Sequence, residues 1–199
     1  RENALEKGSY YITDDELELL DKVTDKFDKT VVLFNIGCIM DLSWMDKYGD
    51  KISAAMIVWQ GGMESGNAVA DLLSGKVSPS GKLSATVAKT YESFPSSKDF
   101  GGKDYNNYTE DIYVGYRYFE TFDKDGVQYP FGFGLTYSEF KTEFVSLDKT
   151  DKGFALKCKV TNIGSVPSAY APQVYVEKPC GVLGNPYREL AAFAKTKVL

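Results

Sequence analysis

The sequence contains no histidine. That removes the usual general base at neutral pH, any Ser-His-Asp triad and most zinc sites. Cysteine is scarce: Cys38, Cys158 and Cys180 are far apart and odd in number. A disulfide framework is therefore not expected, and a reducing, cytoplasmic setting is. Lys and Arg total 23 against 28 Asp and Glu, a net charge of −5. The basic residues are scattered singly, with no stripe to neutralise a phosphate backbone, which argues against nucleic acid as a partner. The apolar runs Val31–Phe34 and Ala54–Trp59, the latter the longest in the chain, fall far short of the ~20 residues of a membrane helix, so no membrane partner is expected. The opening residues Arg1–Lys7 are charged and have no apolar h-region, so no signal peptide is expected either. Neither Gly-x-Gly-x-x-Gly nor a P-loop lysine occurs, and no cofactor or metal is expected. Any chemistry must rest on carboxylates, hydroxyls or thiols, or on residues elsewhere.

What remains is ordinary globular composition over 199 residues, 43% hydrophobic and 26% charged, enough for one domain or two small ones. Thr13 followed by Glu16 is a capping box, and Leu17, Leu20, Val23, Thr24 and Phe27 recur at helical spacing, which predicts a helix over 14–27. Thr30–Asn35 and Ala54–Trp59 are short continuous apolar runs and read as buried parallel strands. Ser43–Tyr48 predicts a short helix. Glu64–Ser74 predicts another, with Ala68, Val69, Leu72 and Leu73 facing inward and Gly75 closing it. The alternation α, β, α, β, α predicts a doubly wound α/β layer. Val31, Leu33, Met56, Val58, Val69 and Leu73 are its expected buried core. Two convincing strands are fewer than the ~4–6 of a usual sheet, so the layer reads as cut off on its N-terminal side.

Lys82–Val87 is a further strand candidate, and 91–112 reads as a long polar excursion. Residues 113–140 are dense in aromatics, among them Tyr116, Phe119, Phe131 and Phe140, and read as a segment packed onto a surface in preference to an exposed aromatic cleft. From Lys141 the pattern has period two. Glu143–Leu147, Phe154–Thr161, Ala171–Glu177 and Ala191–Val198 are strand candidates, with a hairpin turn at Asp151-Lys152-Gly153. This reads as the opening of an immunoglobulin- or fibronectin-like sandwich. Such a fold needs about seven strands, so the C-terminal side also reads as cut off. Half a sandwich leaves apolar surface and strand edges uncovered. The chain is therefore expected to be ordered only beside a partner that covers Leu156, Cys158, Val160, Val174 and Val176.

Few residues suggest chemistry by themselves. Glu64, in Gly-Gly-Met-Glu-Ser-Gly-Asn, stands at a strand's carboxyl end, where open α/β sheets place ligands. It lines that crevice or caps the helix behind it, and the capping role is the simpler. Asp41 follows the other strand and presents the same choice. Cys38 has no histidine partner and reads as a small buried hydrophobe. Asn107-Tyr108-Thr109 fits the glycosylation sequon, a match that arises often by chance. Glu110 and Asp111, adjacent in an extended chain, point apart and make a poor catalytic pair.

Four stretches together carry a resemblance. Trp59-Gln-Gly-Gly-Met-Glu-Ser-Gly-Asn-Ala-Val-Ala-Asp-Leu-Leu-Ser-Gly-Lys-Val-Ser-Pro-Ser-Gly-Lys-Leu resembles the signature of the C-terminal α/β domain of family 3 glycoside hydrolases. Asp111-Ile-Tyr-Val-Gly-Tyr-Arg-Tyr-Phe and Tyr129-Pro-Phe-Gly-Phe-Gly-Leu-Thr-Tyr-Ser-Glu-Phe resemble the segment that follows it in that family's β-glucosidases. Val160-Thr-Asn-Ile-Gly-Ser-Val-Pro-Ser-Ala-Tyr-Ala-Pro-Gln-Val-Tyr-Val resembles the start of their fibronectin type III-like domain. The resemblance implies three parts: 1–95 as the later part of an α/β sandwich, 96–138 as an aromatic-rich linker, and 139–199 as the first part of a fibronectin III-like domain.

It also implies a partner, a TIM-barrel catalytic domain of the same protein, in the same or a separate chain, and a β-glucoside or oligosaccharide substrate. In that family the barrel supplies an Asp nucleophile and the α/β domain a Glu acid/base, the retaining two-carboxylate scheme. No barrel is recognisable here, so no residue inherits the nucleophile's role. Arg1 resembles the Arg of the family's Gly-Glu-Gly-x-Asp-Arg-like stretch, which places the acid/base before residue 1. Glu2 follows that Arg and does not inherit the role. The resemblance thus assigns no catalytic residue to this chain, and the chain alone is expected to be inactive. It leaves Arg1, Asn3, Asp41 and Glu64 as candidates for the substrate cleft. A non-catalytic carbohydrate-binding or scaffold module is the alternative.

Overall fold

The computed structural model describes Gly8, residues 10–179 and residues 184–199. In chain order its elements are α1 (Asp14–Lys26), β1 (Thr30–Phe34), β2 (Ile52–Ile57), α2 (Ser65–Leu73), β3 (Val87–Ala88), α3 (Tyr116–Phe122), β4 (Val127–Tyr129), β5 (Phe140–Thr150), β6 (Gly153–Asn162), β7 (Gln173–Val176) and β8 (Glu189–Phe193). Short 3₁₀ turns occupy Ser43–Lys47, Gly49–Lys51, Tyr91–Ser93, Pro95–Lys98 and Lys124–Gly126. No helix among the described residues is long and apolar enough to cross a membrane. The chain divides into two compact units. The first is Arg1–Ser65, Ser84–Phe131 and Glu177–Arg188; the second is Gly66–Leu83, Gly132–Val176 and Glu189–Leu199.

In the first unit the capping box forms as expected. The Thr13 hydroxyl accepts from the Glu16 N–H at 3.3 Å, and the Thr13 N–H donates to Glu16 Oε2 at 2.9 Å. Asp14, Asp15 and Glu16 complement the positive helix end. β1 and β2 pair in parallel, with Phe34 opposite Ile57. The expected burial of this pair is only half realised. Along β1, Thr30 and Phe34 are buried, at 8% and 6% exposure, while Val31 and Leu33 are 46% and 40% exposed. A strand's side chains alternate between faces; one face of β1 is packed, and nothing among the described residues of this unit covers the other. Met56 and Val58 on and after β2 are half-buried.

The core of this unit lies elsewhere, in residues that sequence periodicity does not single out. Tyr10, Ile12, Leu42, Tyr48, Tyr91 and Phe119 are all buried. Phe119 on α3 meets Phe94 edge-to-face at 5.7 Å, and Tyr10 meets Tyr91 at 5.4 Å. Tyr116 stacks on Phe131 at 4.8 Å. This part of the aromatic segment is packed, as expected, but it is built on a helix that sequence analysis does not predict. β3 is shorter than the expected strand over 82–87 and pairs antiparallel with β4.

In the second unit β5 and β6 form the expected antiparallel hairpin. Thr150 faces Gly153 across Asp151-Lys152, and a bulge falls between Phe144 and Ser146. β7 and β8 form a second antiparallel pair. Ser78, Thr136 and Ser168 are linked by hydroxyl contacts of 2.9 Å. Thr142, Phe144, Leu156, Cys158 and Val174 line a shallow apolar groove of about 300 Å³. Leu156, Cys158 and Val176 are exposed, and Val160 and Val174 half-buried. On α2, Leu73 is 50% exposed and no residue is fully buried, which corrects the expectation for Val69 and Leu73. An apolar helix stripe identifies a face available for packing, and the second unit supplies this one with little cover.

Candidate functional site

The carboxyl ends of β1 and β2 form a loop edge within the first unit, the place where open α/β sheets hold ligands. The pairing continues one residue past the strands, where Val58 N–H donates to Phe34 O at 2.9 Å. Beyond that point the backbones part, and parallel strands leave their loops on one edge. The first loop runs from Asn35 to Asp41 and the second from Trp59 to Glu64. They meet where the Gln60 side chain lies over Gly37: a Cβ at Gly37 would stand 2.7 Å from Gln60 Nε2, so a larger residue there would push the glutamine's amide aside. A Cβ at Gly61 would stand 2.1 Å from the Ser65 Cβ, which requires the second loop's glycine too. Asn35, Cys38, Gln60, Met63 and Glu64 are exposed.

Asp41 is fixed by backbone contacts. Its N–H donates to Tyr10 O at 2.8 Å, and its Oδ1 accepts from the Ser43 N–H at 3.0 Å. Its carbonyl accepts from the Trp44 indole N–H at 3.0 Å. These contacts make it the brace of the 3₁₀ turn Ser43–Lys47, and Trp44 then packs against Phe34 and Tyr48. Glu64 is exposed and immediately precedes α2. Arg1, Asn3 and Cys180 lie outside the described residues. Cys38 is exposed, not a buried hydrophobe, because it sits in the turn after β1 with no element over it among the described residues. Among the described residues no group of three or more acidic or thiol side chains could hold a metal ion.

One cluster of charged and phenolic side chains joins α1 to the turn that follows β1. Lys47 and Tyr48 both donate to Asp21, at 2.8 and 2.9 Å, and hold its carboxyl below the usual range. The same hydrogen bond raises the Lys47 ammonium. The exposed Lys47 pair and the part-buried Tyr48 hydrogen bond tie the 3₁₀ turn to α1. Burial pushes the Tyr10 phenol upward, and among the described residues its hydroxyl has no hydrogen-bond partner.

Sequence reasoning missed Trp59 and Gln60 as members of the loop edge. Trp59 occupies the left-handed region at φ 53°, which is uncommon for a non-glycine residue and an outlier for a bulky one. The only signal in the sequence is the position of Trp59 at the end of an apolar run ahead of Gly61-Gly62.

Residues 2–137 match the glycosyl hydrolase family 3 C-terminal domain. The chain is 46% identical over its full length to a beta-glucosidase of Ruminococcus albus, covering 21% of that protein. It is 42% identical to beta-glucosidase A of Butyrivibrio fibrisolvens, with 96% of this chain and 25% of that protein covered. The crystal structure of a beta-glucosidase from Paenibacillus barengoltzii superimposes with a TM-score of 0.93 at 47% identity, over 99% of this chain and 22% of that one. Beta-glucosidase 3B from Thermotoga neapolitana in complex with glucose gives 0.87 at 35% identity, over 99% and 28%. The chain thus spans about a fifth to a quarter of the length of these relatives. Its architecture is theirs in that stretch, an α/β part followed by fibronectin type III-like strands, and the chain belongs to glycosyl hydrolase family 3 as a copy of its C-terminal domain.

Proposed function

We propose that this chain is the cleft-supporting C-terminal part of a retaining β-glucosidase that releases terminal, non-reducing β-linked glucose. The observation that carries this reading is the identity of 46% and 42% to proteins named beta-glucosidases, sustained across nearly the whole chain. The catalytic carboxylates belong to the rest of the protein: the nucleophile to a barrel domain, in the same or a separate chain, and the acid/base to the stretch that precedes Arg1 in the family pattern. In a retaining enzyme one carboxylate forms the glycosyl-enzyme while the other protonates the leaving oxygen and then activates water. The chain's part is to hold the loop edge at the carboxyl ends of β1 and β2 in place, through Asp41, Gly37 and Gly61.

The test is hydrolysis by the full-length protein. It should release p-nitrophenol from p-nitrophenyl β-glucoside, and NMR should show β-glucose as the first-formed anomer. The 199-residue chain alone should show no turnover, since losing general acid–base assistance alone removes a factor of about 10²–10⁴. An α-anomer first, or preference for another glycoside, would overturn the reading. A second reading, a carbohydrate-binding module without chemistry, is favoured by Tyr105 and Tyr108, which are 75% and 94% exposed on the 99–111 excursion. The same assay separates the two, because a binding module retains sugar without hydrolysing it.

A further inference from the structure

We propose that Trp59 is a pyranose-contact residue: its indole ring stacks on the C–H face of a sugar, and its N–H donates to a sugar hydroxyl. This rests on the β-glucosidase reading above and names where along the loop edge the sugar is held. The backbone is the first observation. Trp59 sits at φ 53°, a conformation that suits glycine and disfavours a large L side chain. The local chain geometry therefore does not call for tryptophan; the side chain itself must account for it.

The indole is the second observation. The chain has two tryptophans. Trp44 behaves as a structural one, with its N–H on Asp41 O at 3.0 Å and its ring against Phe34 and Tyr48. Trp59 is half-buried, and among the described residues its N–H finds no acceptor and its ring no aromatic partner. A partly exposed tryptophan whose donor is unsatisfied among the described residues is equipped for a ligand that is apolar on one side and hydroxylated at its edge.

The third observation is the surroundings. Exposed Gln60 and Asn35 add amides that both donate and accept, which matches neutral vicinal hydroxyls. Neither loop, 35–41 or 58–66, contains a Lys or Arg, so an anionic ligand finds no counter-charge there. A pyranose satisfies all three conditions: its C–H bonds carry partial positive charge toward the negative ring face, and its hydroxyls reach the rim.

The experiment uses the full-length protein with Trp59→Phe, which keeps a ring and loses the N–H, and Trp59→Ala, which loses both. Removing an aromatic anchor should lower kcat/KM for cellobiose by about tenfold or more, mostly through KM, with Trp59→Phe between wild type and Trp59→Ala. Glucose titration should give a saturable change in tryptophan fluorescence that disappears in Trp59→Phe. A KM unchanged in both variants would overturn the proposal, as would a fall in kcat alone or a glucose-induced change that survives in Trp59→Phe. Should Trp59→Ala fail to fold, Trp59→Phe alone decides. Should the wild-type protein hydrolyse no β-glucoside, the function proposed above fails, and the glucose titration still decides the role of Trp59.

Discussion

Phe119 offers the most direct measurement of what holds the aromatic segment in place. Its side chain is 1% exposed, edge-to-face with Phe94 at 5.7 Å and with Tyr118 at 5.4 Å. Truncating such a ring typically costs about 3–5 kcal/mol, transfer and cavity together. Phe122 is the internal control. It lies on the same helix and has the same side chain, but is 60% exposed, with ring contacts to Tyr113 and Tyr118. Its truncation should cost about 1 kcal/mol, the scale of its aromatic pairs. Local opening free energies are read by hydrogen exchange, and every 1.4 kcal/mol is a factor of about ten. Exchange of a peptide spanning Tyr116–Phe122 in the full-length protein should therefore accelerate by about 10²- to 10³-fold or more in Phe119→Ala. Phe122→Ala should give about tenfold or less. Equal acceleration in both variants would refute the assignment of Phe119 as the buried anchor.

Thr13→Ala removes the acceptor for the Glu16 N–H and should lower stability by about 1 kcal/mol in urea denaturation. Glu16 is held below its usual range by its hydrogen bonds with Thr13. Its contribution is therefore present above pH 4.5 and lost as pH falls through the lowered folded value; Thr13→Ala keeps the Thr13 N–H, the larger cause, and should flatten only part of the acid limb of a stability–pH profile. Gly134→Ala places a Cβ 2.2 Å from Gly81 O, a clash with backbone that should cost about 1–3 kcal/mol and shift the unfolding midpoint at unchanged slope. Leu73→Ala should cost less than the about 2–5 kcal/mol of a buried leucine, because the residue is half-exposed; a loss within that range would mean that α2 is covered more fully than its own unit provides.

The sequence by itself determined the features whose causes are local. Thr13 and Glu16 announce α1 because the two bonds of a capping box span three residues. The runs Thr30–Asn35 and Ala54–Trp59 announce a parallel pair because β-branched apolar stretches without alternation suit little else. Period two and Asp151-Lys152-Gly153 announce the β5–β6 hairpin, although the ladder reaches Phe140 and Asn162, beyond the side-chain pattern, since backbone bonds extend it. Helix α3 was not legible: its aromatic residues have only modest helix propensity, and Gly115 enters it at φ 59°, a turn no periodicity reveals. Of the candidate site, the loop edge beyond β1 and β2 could be anticipated from strand topology, but the local geometry of its residues could not. Asp41 braces a 3₁₀ turn, Cys38 is exposed, and Trp59 stands at φ 53° with no partner for its indole among the described residues. Tertiary structure alone decided these, and decided that Phe34 is covered while Val31 and Leu33 are not. A residue's hydrophobicity fixes what it gains from burial; which face receives cover depends on elements far away in the chain.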